Sequence, residues 1–335
     1  MSSRVKMSGE KVTIYEIAEE AGVSIATVSR VLNNPHRVNR VTREKILTVI
    51  DRHGFIPKAE ARDRARKENG RIGVVIPFFT APSFVQRLRG ISYILSQENY
   101  EMVIYPVDTY SRMRSYLETL PLNRNLDGLI IVSQTFDEQI ASRLIDNKLE
   151  TVIIEFNNPQ FCSLQIDDEA GGRLAAEYFI RKGRRNFAFV GGSDIPLFGH
   201  DPISNRLVGY QKRLEEEGYF LPDDLIYKIV PKPKSIIEDL VSKGLPLAIF
   251  AATDLQAIAL LKEIRLLNLK VPQDLAIIGF DDIDMADYFG LTTVRQPLDE
   301  SGSIAAEILL SRIKNSNRSV QHILLPLSIV ERDTV

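Results

Sequence analysis

Arg30 lies in a short segment, residues 24–32, whose outward positions are small or polar. An arginine there can donate two hydrogen bonds to a guanine edge, and Ile25 and Ala26 can contact thymine methyl groups. Ser29 also faces outward. Hydroxyl and amide side chains at the edges of the segment could bond phosphates, and these are Ser24, Thr27 and Asn33. The segment predicts a surface that reads the major groove of DNA, and the alternative is a three-helix packing module.

A second set of polar residues lies at the ends of apolar runs far along the chain. Glu155 closes the run TVIIEF, Asp281 follows LAIIGF, and Arg206 opens a helical pattern. Carboxylates paired with an arginine commonly hold vicinal hydroxyl groups, because each carboxylate accepts two hydrogen bonds and arginine donates in a fork. Thr253 and Asp254 end another apolar run, and Gln296 lies in a crossover between the lobes. The set predicts a pocket for a small molecule with hydroxyl groups, and the alternative for each residue is an internal cap or salt bridge.

Two short helical patterns must position the first set. Thr13 and Glu16 have the spacing of a capping box, so we expect a helix to begin there. Gly22 suits the tight turn that ends this helix, and Ser24 can cap the next one. A helix, a short glycine turn and a second helix form a helix-turn-helix, whose second helix enters the major groove.

A third helical pattern follows. Thr42 is predicted to cap this helix, with apolar residues inward at Ile46, Val49 and Ile50. The next stretch, residues 57–70, is polar and charged with almost no apolar face, which is typical of a linker or a marginal helix.

From Arg71 onward, strand-like apolar runs alternate with amphipathic helical patterns. The runs cover residues 72–77, 102–107, 127–133, 151–156, 187–192, 247–252 and 275–282. This alternation predicts parallel sheets with right-handed crossovers, divided between two doubly wound lobes. Ligands then bind between the lobes, at the carboxyl ends of the strands.

The charge distribution supports two different parts. The 335-residue chain has a formal net charge of −2, but residues 1–70 carry +5 and the remainder carries −7. A small basic region joined to an acidic body is typical of a nucleic-acid module attached to another domain. The hydrophobic fraction of 44% provides ample material for cores.

Composition and motifs exclude several other classes of protein. No apolar run approaches the roughly 18 residues of a membrane span, and the start MSSRVKMSGEK lacks the apolar region of a secretory signal. A single cysteine, Cys162, excludes a disulfide framework and a cysteine-based zinc site. No nucleotide-binding glycine motif or nucleophile elbow occurs, and the four histidines have no metal-ligand spacing. We therefore expect a cytoplasmic protein that is not an enzyme and that needs no metal or cofactor.

The motifs resemble one family closely. The run VTIYEIAEEAGVSIATVSRVLNN, followed by VTREKI and GFIP, is similar to the DNA-binding head of the lactose/galactose-repressor (LacI/GalR) family of bacterial transcription regulators. Body motifs include DGLII, IDDEAGG, RLVGY, VPQDLAIIGFDD and LTTVRQP. The resemblance covers about residues 12 to 335. It implies an all-α helix-turn-helix head on an α/β core that resembles a periplasmic binding protein, with two doubly wound parallel-sheet lobes.

The family topology implies domain boundaries. The DNA-binding head would cover 11–56, the hinge 57–70 and the effector-binding and dimerisation core 71–335. Within the core, lobe 1 would hold about 71–168 and 297–325, and lobe 2 about 169–296 and 326–335.

The resemblance also implies DNA contacts. The positions that match Ile25, Ala26 and Arg30 read bases in the family. The further DNA contacts that we expect are Thr13, Ser24, Thr27, Ser29, Asn33, Arg37, Thr42, Ala61 and Arg64. In the family a leucine pair from the hinge helix wedges into the minor groove. Alignment places Arg64 at the wedge position and Ala61 one turn earlier. An arginine cannot wedge as leucine does, and it would enter a narrow minor groove electrostatically. The alternative is a solvated linker.

For the core, the resemblance implies an effector site between the lobes. Arg206 and Asp281 would be its main contacts, joined by Phe84, Glu155, Thr253, Asp254 and Gln296. The aromatic residue that stacks on the ligand in several members would fall near Ile229, where none is present. The expected function is a homodimeric repressor of carbohydrate genes, bound to a palindromic operator and controlled by a sugar or sugar derivative. The alternatives are a receptor of the periplasmic-binding type without DNA function, and an α/β enzyme.

Overall fold

The structure is a computed structural model that describes residues 12–33, 35–55, 70–192, 201–227, 232–244 and 247–335. Within these residues, every helix falls short of the length and apolarity needed to cross a lipid bilayer. The predicted hinge contacts Ala61 and Arg64, and the position near Ile229, lie outside the described residues.

Residues 12–55 form the head. Its helices are α1 (Ile14–Glu20), α2 (Ile25–Asn33) and α3 (Arg40–His53), with a short 3-10 helix at Pro35–Arg37. The predicted capping box is present, since Glu16 N donates to Thr13 Oγ1 and Thr13 N donates to Glu16 Oε2. Ser24 Oγ accepts from Thr27 N at 3.2 Å, as expected of an N-cap.

The predicted start of the third helix was wrong. Asn39, not Thr42, is the N-cap of α3, and its Oδ1 accepts from Thr42 N at 2.8 Å. Asparagine caps helices better than threonine. Because Asn39 lies three residues earlier, the helix begins about one turn before the expected position.

The remaining chain forms an α/β core. Its strands are β1 (Arg71–Pro77), β2 (Glu101–Val107), β3 (Gly128–Val132), β4 (Glu150–Ile154), β5 (Cys162–Gln165), β6 (Phe187–Val190), β7 (Ile226–Tyr227), β8 (Leu247–Ala251), β9 (Leu275–Asp281), β10 (Thr293–Arg295), β11 (His322–Leu324) and β12 (Ser328–Val330). Its helices are α4 (Pro82–Gln97), α5 (Tyr110–Asn123), α6 (Glu138–Asp146), α7 (Asp168–Arg181), α8 (Pro202–Glu216), α9 (Pro233–Ser242), α10 (Asp254–Leu266), α11 (Asp284–Tyr288) and α12 (Leu298–Lys314).

The strands form two sheets that define two lobes. In the described residues, the sheet of lobe 1 has the order β11-β5-β4-β3-β1-β2, and the sheet of lobe 2 has the order β12-β10-β9-β8-β6-β7. Pairing is parallel except between β10 and β12. The central strands β1, β3, β8 and β9 are buried on both faces, as parallel sheets covered by helices require, whereas the edge strands β2, β7, β11 and β12 are only partly buried. The predicted fold class is confirmed.

Close helix crossings place two buried arginines. A Cβ atom on Gly90 of α4 would lie 2.0 Å from the Asp299 carbonyl oxygen of α12, and one on Gly209 of α8 would lie 1.9 Å from the Glu169 carbonyl oxygen of α7. Only glycine permits such approaches. Each glycine is the last residue of an Arg-Leu-x-Gly sequence, so the two crossings hold Arg87 and Arg206 in corresponding positions of the two lobes.

Candidate functional site

The exposed side of α2 carries the predicted base-reading residues. Ile25 is 40% exposed, and Ala26 and Arg30 are also exposed. Val28 and Val31, on the opposite side, are buried in the head core. The helical period therefore separates the two roles, and the exposed face can enter a groove without disturbing the core.

The polar residues predicted to flank this face occupy helix ends and neighbouring turns. Thr13 and Ser24 are the caps of α1 and α2, and Thr27 Oγ1 lies 2.8 Å from Ser24 Oγ. Ser29 is half-buried in α2, Asn33 ends that helix, and Arg37 is exposed at the end of the 3-10 helix. Thr42 lies in the first turn of α3. Thr13, Ser24 and Arg37 are exposed, so their side chains can reach a bound phosphate.

The wall of the cleft in lobe 1 is built around Glu155. This residue follows β4 with a φ of +70°, outside the usual range for a side chain of its type. One carboxylate oxygen accepts a short hydrogen bond from Arg87 Nη2, and the other accepts one from Ser133 Oγ. Ser133 follows β3, so the carboxyl ends of two neighbouring strands and helix α4 meet at this carboxylate.

Gln296 connects this wall to lobe 2. It lies in the crossover between β10 and α12 and is buried. Its Oε1 accepts from Arg87 Nη2 at 2.9 Å, and its Nε2 donates to Asp281 Oδ1 at 2.6 Å. Asp281, the last residue of β9, has a φ of +121°. The polar contacts therefore run without a break from lobe 1 into lobe 2.

Arg206 completes the wall of lobe 2 from the second turn of α8. Its Nε donates to Asp168 Oδ1 at 2.8 Å, and its Nη1 donates to the Ala252 carbonyl oxygen at 2.7 Å. The guanidinium carbon lies 3.5 Å from the centre of the Phe280 ring, and Nη1 lies 4.0 Å from Asp281 Oδ1. The guanidinium is thereby held in one orientation, as recognition of a ligand requires.

Asp254 has a structural role instead of the predicted effector contact. Its residue surface is 0% exposed. Oδ1 accepts from Thr293 Oγ1 at 2.6 Å, and Oδ2 accepts from Ile283 N at 2.9 Å. Burial, and next the charge of Asp281, raise the pKa of Asp254 well above its usual range. The carboxyl group braces the β9 to α11 connection behind the cleft wall.

Two other predicted contacts lie beside the cleft. Thr253 caps α10, and its Oγ1 accepts from Gln256 N at 3.3 Å. Phe84 is partly buried on α4, with its ring centre 6.2 Å from that of Phe78 and 5.8 Å from the guanidinium carbon of Arg87. The aromatic pair offers an apolar surface next to the charged groups, a combination common in small-molecule sites.

Sequence reasoning missed Arg87, Ser133 and Asp168. The signal for Arg87 was present, because the sequence Arg-Leu-x-Gly occurs at 87–90 and again at 206–209. Ser133 ends the apolar run 127–133, whose pattern predicts only a strand. No periodicity marked Asp168, whose role depends on a partner 38 residues away.

Burial raises the pKa of the Asp281 carboxyl to about 6, although Arg206 and the Gln296 amide favour its ionised form. The unfolded chain loses this proton at its ordinary pKa of about 3.9. The folded state therefore binds more protons between these values, so this contribution to stability is present at low pH and lost as the pH rises toward 6.

Asp281→Asn should remove this dependence. The free energy of unfolding of the variant minus that of the wild type should increase by about 2 to 3 kcal/mol as the pH is raised from 4 to 7. Urea titration at each pH measures this difference. Asp284→Asn is the control. Hydrogen bonds from Arg89 lower the pKa of Asp284, so its contribution to stability changes mainly below about pH 4, and its difference between pH 4 and pH 7 should be small and of the opposite sign. A pH-independent difference for Asp281→Asn would show that its carboxyl titrates as in the unfolded chain.

Comparisons with known proteins agree with both regions. Residues 13–58 match the profile of the bacterial regulatory proteins, lacI family, and residues 176–335 match the periplasmic binding protein-like domain. Catabolite control protein A of Priestia megaterium is 31% identical over 332 residues, which cover 96% of this chain and 99% of that protein. The chain belongs to the LacI/GalR family.

Solved structures of this family share the fold. The lac repressor dimer bound to operator and the anti-inducer ONPF is 25% identical, with a TM-score of 0.66 over 97% of this chain and 99% of that one. A LacI-family regulator from Enterococcus faecium with bound ribose is 26% identical, with a TM-score of 0.68 over 79% of this chain and 98% of that one. This LacI-family chain is a DNA-binding transcriptional regulator, and the alternative of a receptor without a DNA-binding head is not supported.

Proposed function

We propose that this regulator binds a palindromic operator as a homodimer and that a sugar or sugar derivative in the cleft changes its affinity for DNA. The observation that carries the proposal is the unbroken series of polar contacts from Glu155 through Arg87, Gln296 and Asp281 to Arg206. A ligand with several hydroxyl groups can replace these contacts on both lobes at once. Such a ligand changes the relation of the lobes, because its affinity differs between their arrangements.

The cleft chemistry favours an uncharged polyhydroxylated ligand. Both arginines already face carboxylates, since Arg87 faces Glu155, and Arg206 lies between Asp168 and Asp281. Because three carboxylates surround these two arginines, an anionic ligand would add a negative charge without a partner. Bound ribose in the Enterococcus faecium relative is in keeping with this class.

An apolar outer surface supports the homodimer. Tyr93 of α4 is 63% exposed and Tyr288 of α11 is 85% exposed, with Val85 and Met285 exposed on the same two helices. Arg89 of α4 donates hydrogen bonds to Asp284 of α11 and to Asp299 of α12, and so links α4 to both helices. Exposed apolar surface that spans both lobes is suited to a symmetric partner with the same surface. The lac repressor, with the same fold, is a dimer on its operator.

The proposed base contacts are Ile25, Ala26 and Arg30, with the neighbouring polar residues of the head on phosphates. The proposed effector contacts are Arg206, Asp281, Glu155, Gln296, Arg87, Thr253 and Phe84. We propose that the protein works in the cytoplasm on chromosomal DNA, and that the cleft binds its ligand without turning it over, as expected of a regulator. Repression of carbohydrate genes is the role that this combination of sites fits best.

Selection of duplexes from a random pool by the full chain tests the proposal. At physiological salt we expect enrichment of a palindrome whose half-sites contain guanine and thymine in the major groove. The bound fraction of this duplex should then change with one member of a sugar panel that includes ribose. Enrichment of a single half-site would contradict the dimer. Failure to enrich any sequence, with and without the panel, would contradict sequence-specific regulation.

A further inference from the structure

The head packs against the outer flank of lobe 1. Leu122, near the end of α5, is only 3% exposed and belongs to the same apolar cluster as the head residues Val28, Val31 and Ile46. A three-helix unit of this size buries too little apolar surface to be more than marginally stable. A side chain from lobe 1 thus completes the core of the head.

Two ion pairs of opposite polarity surround this apolar contact. Arg43 of the head lies 3.8 Å from Glu118 of α5, and Asp51 of the head makes a short contact with Arg143 of α6. Arg43, Glu118 and Arg143 are all buried. The head supplies one cation and one anion to these pairs, and lobe 1 supplies one of each as well. A shifted or reversed head would therefore bring like charges together. The contact therefore specifies one orientation.

The lobe side of this contact is itself held in place. Glu118 also accepts from Arg114 Nε at 2.8 Å, and Arg143 Nη1 donates to the Glu118 carbonyl oxygen at 3.1 Å. Arg114 Nη1 also donates to Oδ2 of Asp137, the N-cap of α6, at 2.7 Å. These bonds link α5 to α6 on the side that faces the head.

The packed head leaves its recognition surface open. The contact involves Arg43 and Asp51 of α3 and the buried side of α2, while Ile25, Ala26 and Arg30 remain exposed. Helix α5 begins directly after β2, at the edge of the sheet that faces the cleft, and ends at the head. One helix of 14 residues, about 21 Å long, therefore connects the cleft edge to the DNA-binding unit.

We propose that the surface of lobe 1 formed by α5 and α6 is a docking surface for the head. This surface orients the head for DNA, together with the linker that joins the two. This inference rests on the proposed function, since it concerns how the same head meets its operator. Glu118, Leu122 and Arg143 are positioning residues, because they act on DNA only through the head.

The test compares two charge reversals on one helix in the full chain. Asp51→Lys puts a like charge against Arg143, whereas Glu44→Lys makes the same charge change at an exposed residue that pairs with Arg40 inside the head. Both variants add the same charge to the same helix. The hydrogen bond from Arg40 of the head lowers the pKa of Glu44 most, and Arg114 of α5 lowers it least, so the difference between the variants reports mainly the direct pair with Arg143. We expect Asp51→Lys to bind the enriched duplex about tenfold more weakly than Glu44→Lys. The double variant Asp51→Lys/Arg143→Glu should recover most of this loss.

Amide hydrogen exchange of the full chain gives a readout that does not depend on DNA. Head amides should exchange faster in Asp51→Lys than in Glu44→Lys, while the amides of β1 and β3 remain unchanged. The milder Asp51→Asn removes the ion pair without adding a like charge. It should lower DNA affinity and speed amide exchange of the head by smaller amounts than Asp51→Lys, as expected when the head is loosened and not unfolded.

Three results would overturn the inference. Equal affinities of Asp51→Lys and Glu44→Lys would show that the contact does not orient the head. Tighter binding by Asp51→Lys would show that the contact restrains the head away from DNA. No recovery in the double variant would show that the pair with Arg143 is not responsible. If no duplex is enriched by the wild type, the proposed function itself fails and the inference fails with it, a result distinct from the other three.

Discussion

Arg30→Ala should reduce the preference for the selected duplex over a random duplex by about 1 to 3 kcal/mol, roughly 5- to 150-fold. Arg30 is exposed on α2, and the variant leaves Val28 and Val31 in the head core untouched. The loss arises because alanine replaces two hydrogen bonds to a guanine edge by none. Fluorescence anisotropy at fixed salt, with both duplexes, measures this preference.

Arg37→Ala is the matched control, since Arg37 is exposed in the head but lies outside α2. A phosphate contact carries no sequence information. The control should therefore lower the affinity for both duplexes by the same factor. It should also reduce the magnitude of the slope of log affinity against log salt concentration by about 1. If Arg30→Ala behaves like Arg37→Ala, the base-reading role of Arg30 is wrong.

Arg206→Lys should lower the affinity for the responsive sugar by about 10- to 100-fold, the size expected for losing hydrogen bonds to a charged group. In the wild type the guanidinium reaches Asp168, the Ala252 carbonyl oxygen and the Phe280 ring together. A lysine ammonium has neither the planar fork nor the stacking face. Isothermal titration with the sugar identified from the panel measures the loss, and the duplex should no longer respond at that concentration.

The choice of lysine follows from burial. Arg206 is 4% exposed, and alanine would leave the buried carboxylates Asp168 and Asp281 without a cation, at a cost of about 3 to 5 kcal/mol in stability. Arg213→Lys on the same helix is the control, since Arg213 pairs with Glu217 near the surface. Its sugar affinity should equal that of the wild type. A normal affinity in Arg206→Lys would exclude Arg206 from the ligand contacts.

The fold was largely predictable because its signals are local. The capping box at Thr13, the apolar strand runs and the helical patterns between them each depend on residues within one or two turns or one strand. The error at α3 is of the same local kind, since Asn39 and Thr42 are both competent caps and the sequence does not rank them decisively.

The strand ends are the most direct sequence signal for the candidate site. Asp281 and Glu155 follow buried runs, so the rule for parallel sheets finds them. That rule also selected Asp254, which lies at an equivalent position but turns into the protein to bond Thr293 and Ile283. Position along a strand indicates the edge of the sheet, whereas the direction of a side chain depends on its neighbours.

The sequence by itself determined the family, the two kinds of domain and the exposed face of α2, because periodicity and caps are properties of consecutive residues. Only the tertiary structure decided that Arg87 joins Glu155 to Gln296 and that Leu122 completes the core of the head. These partners are up to 209 residues apart along the chain. Contacts over such separations are set by how helices and sheets pack, and packing depends on the shapes of all the surrounding side chains at once.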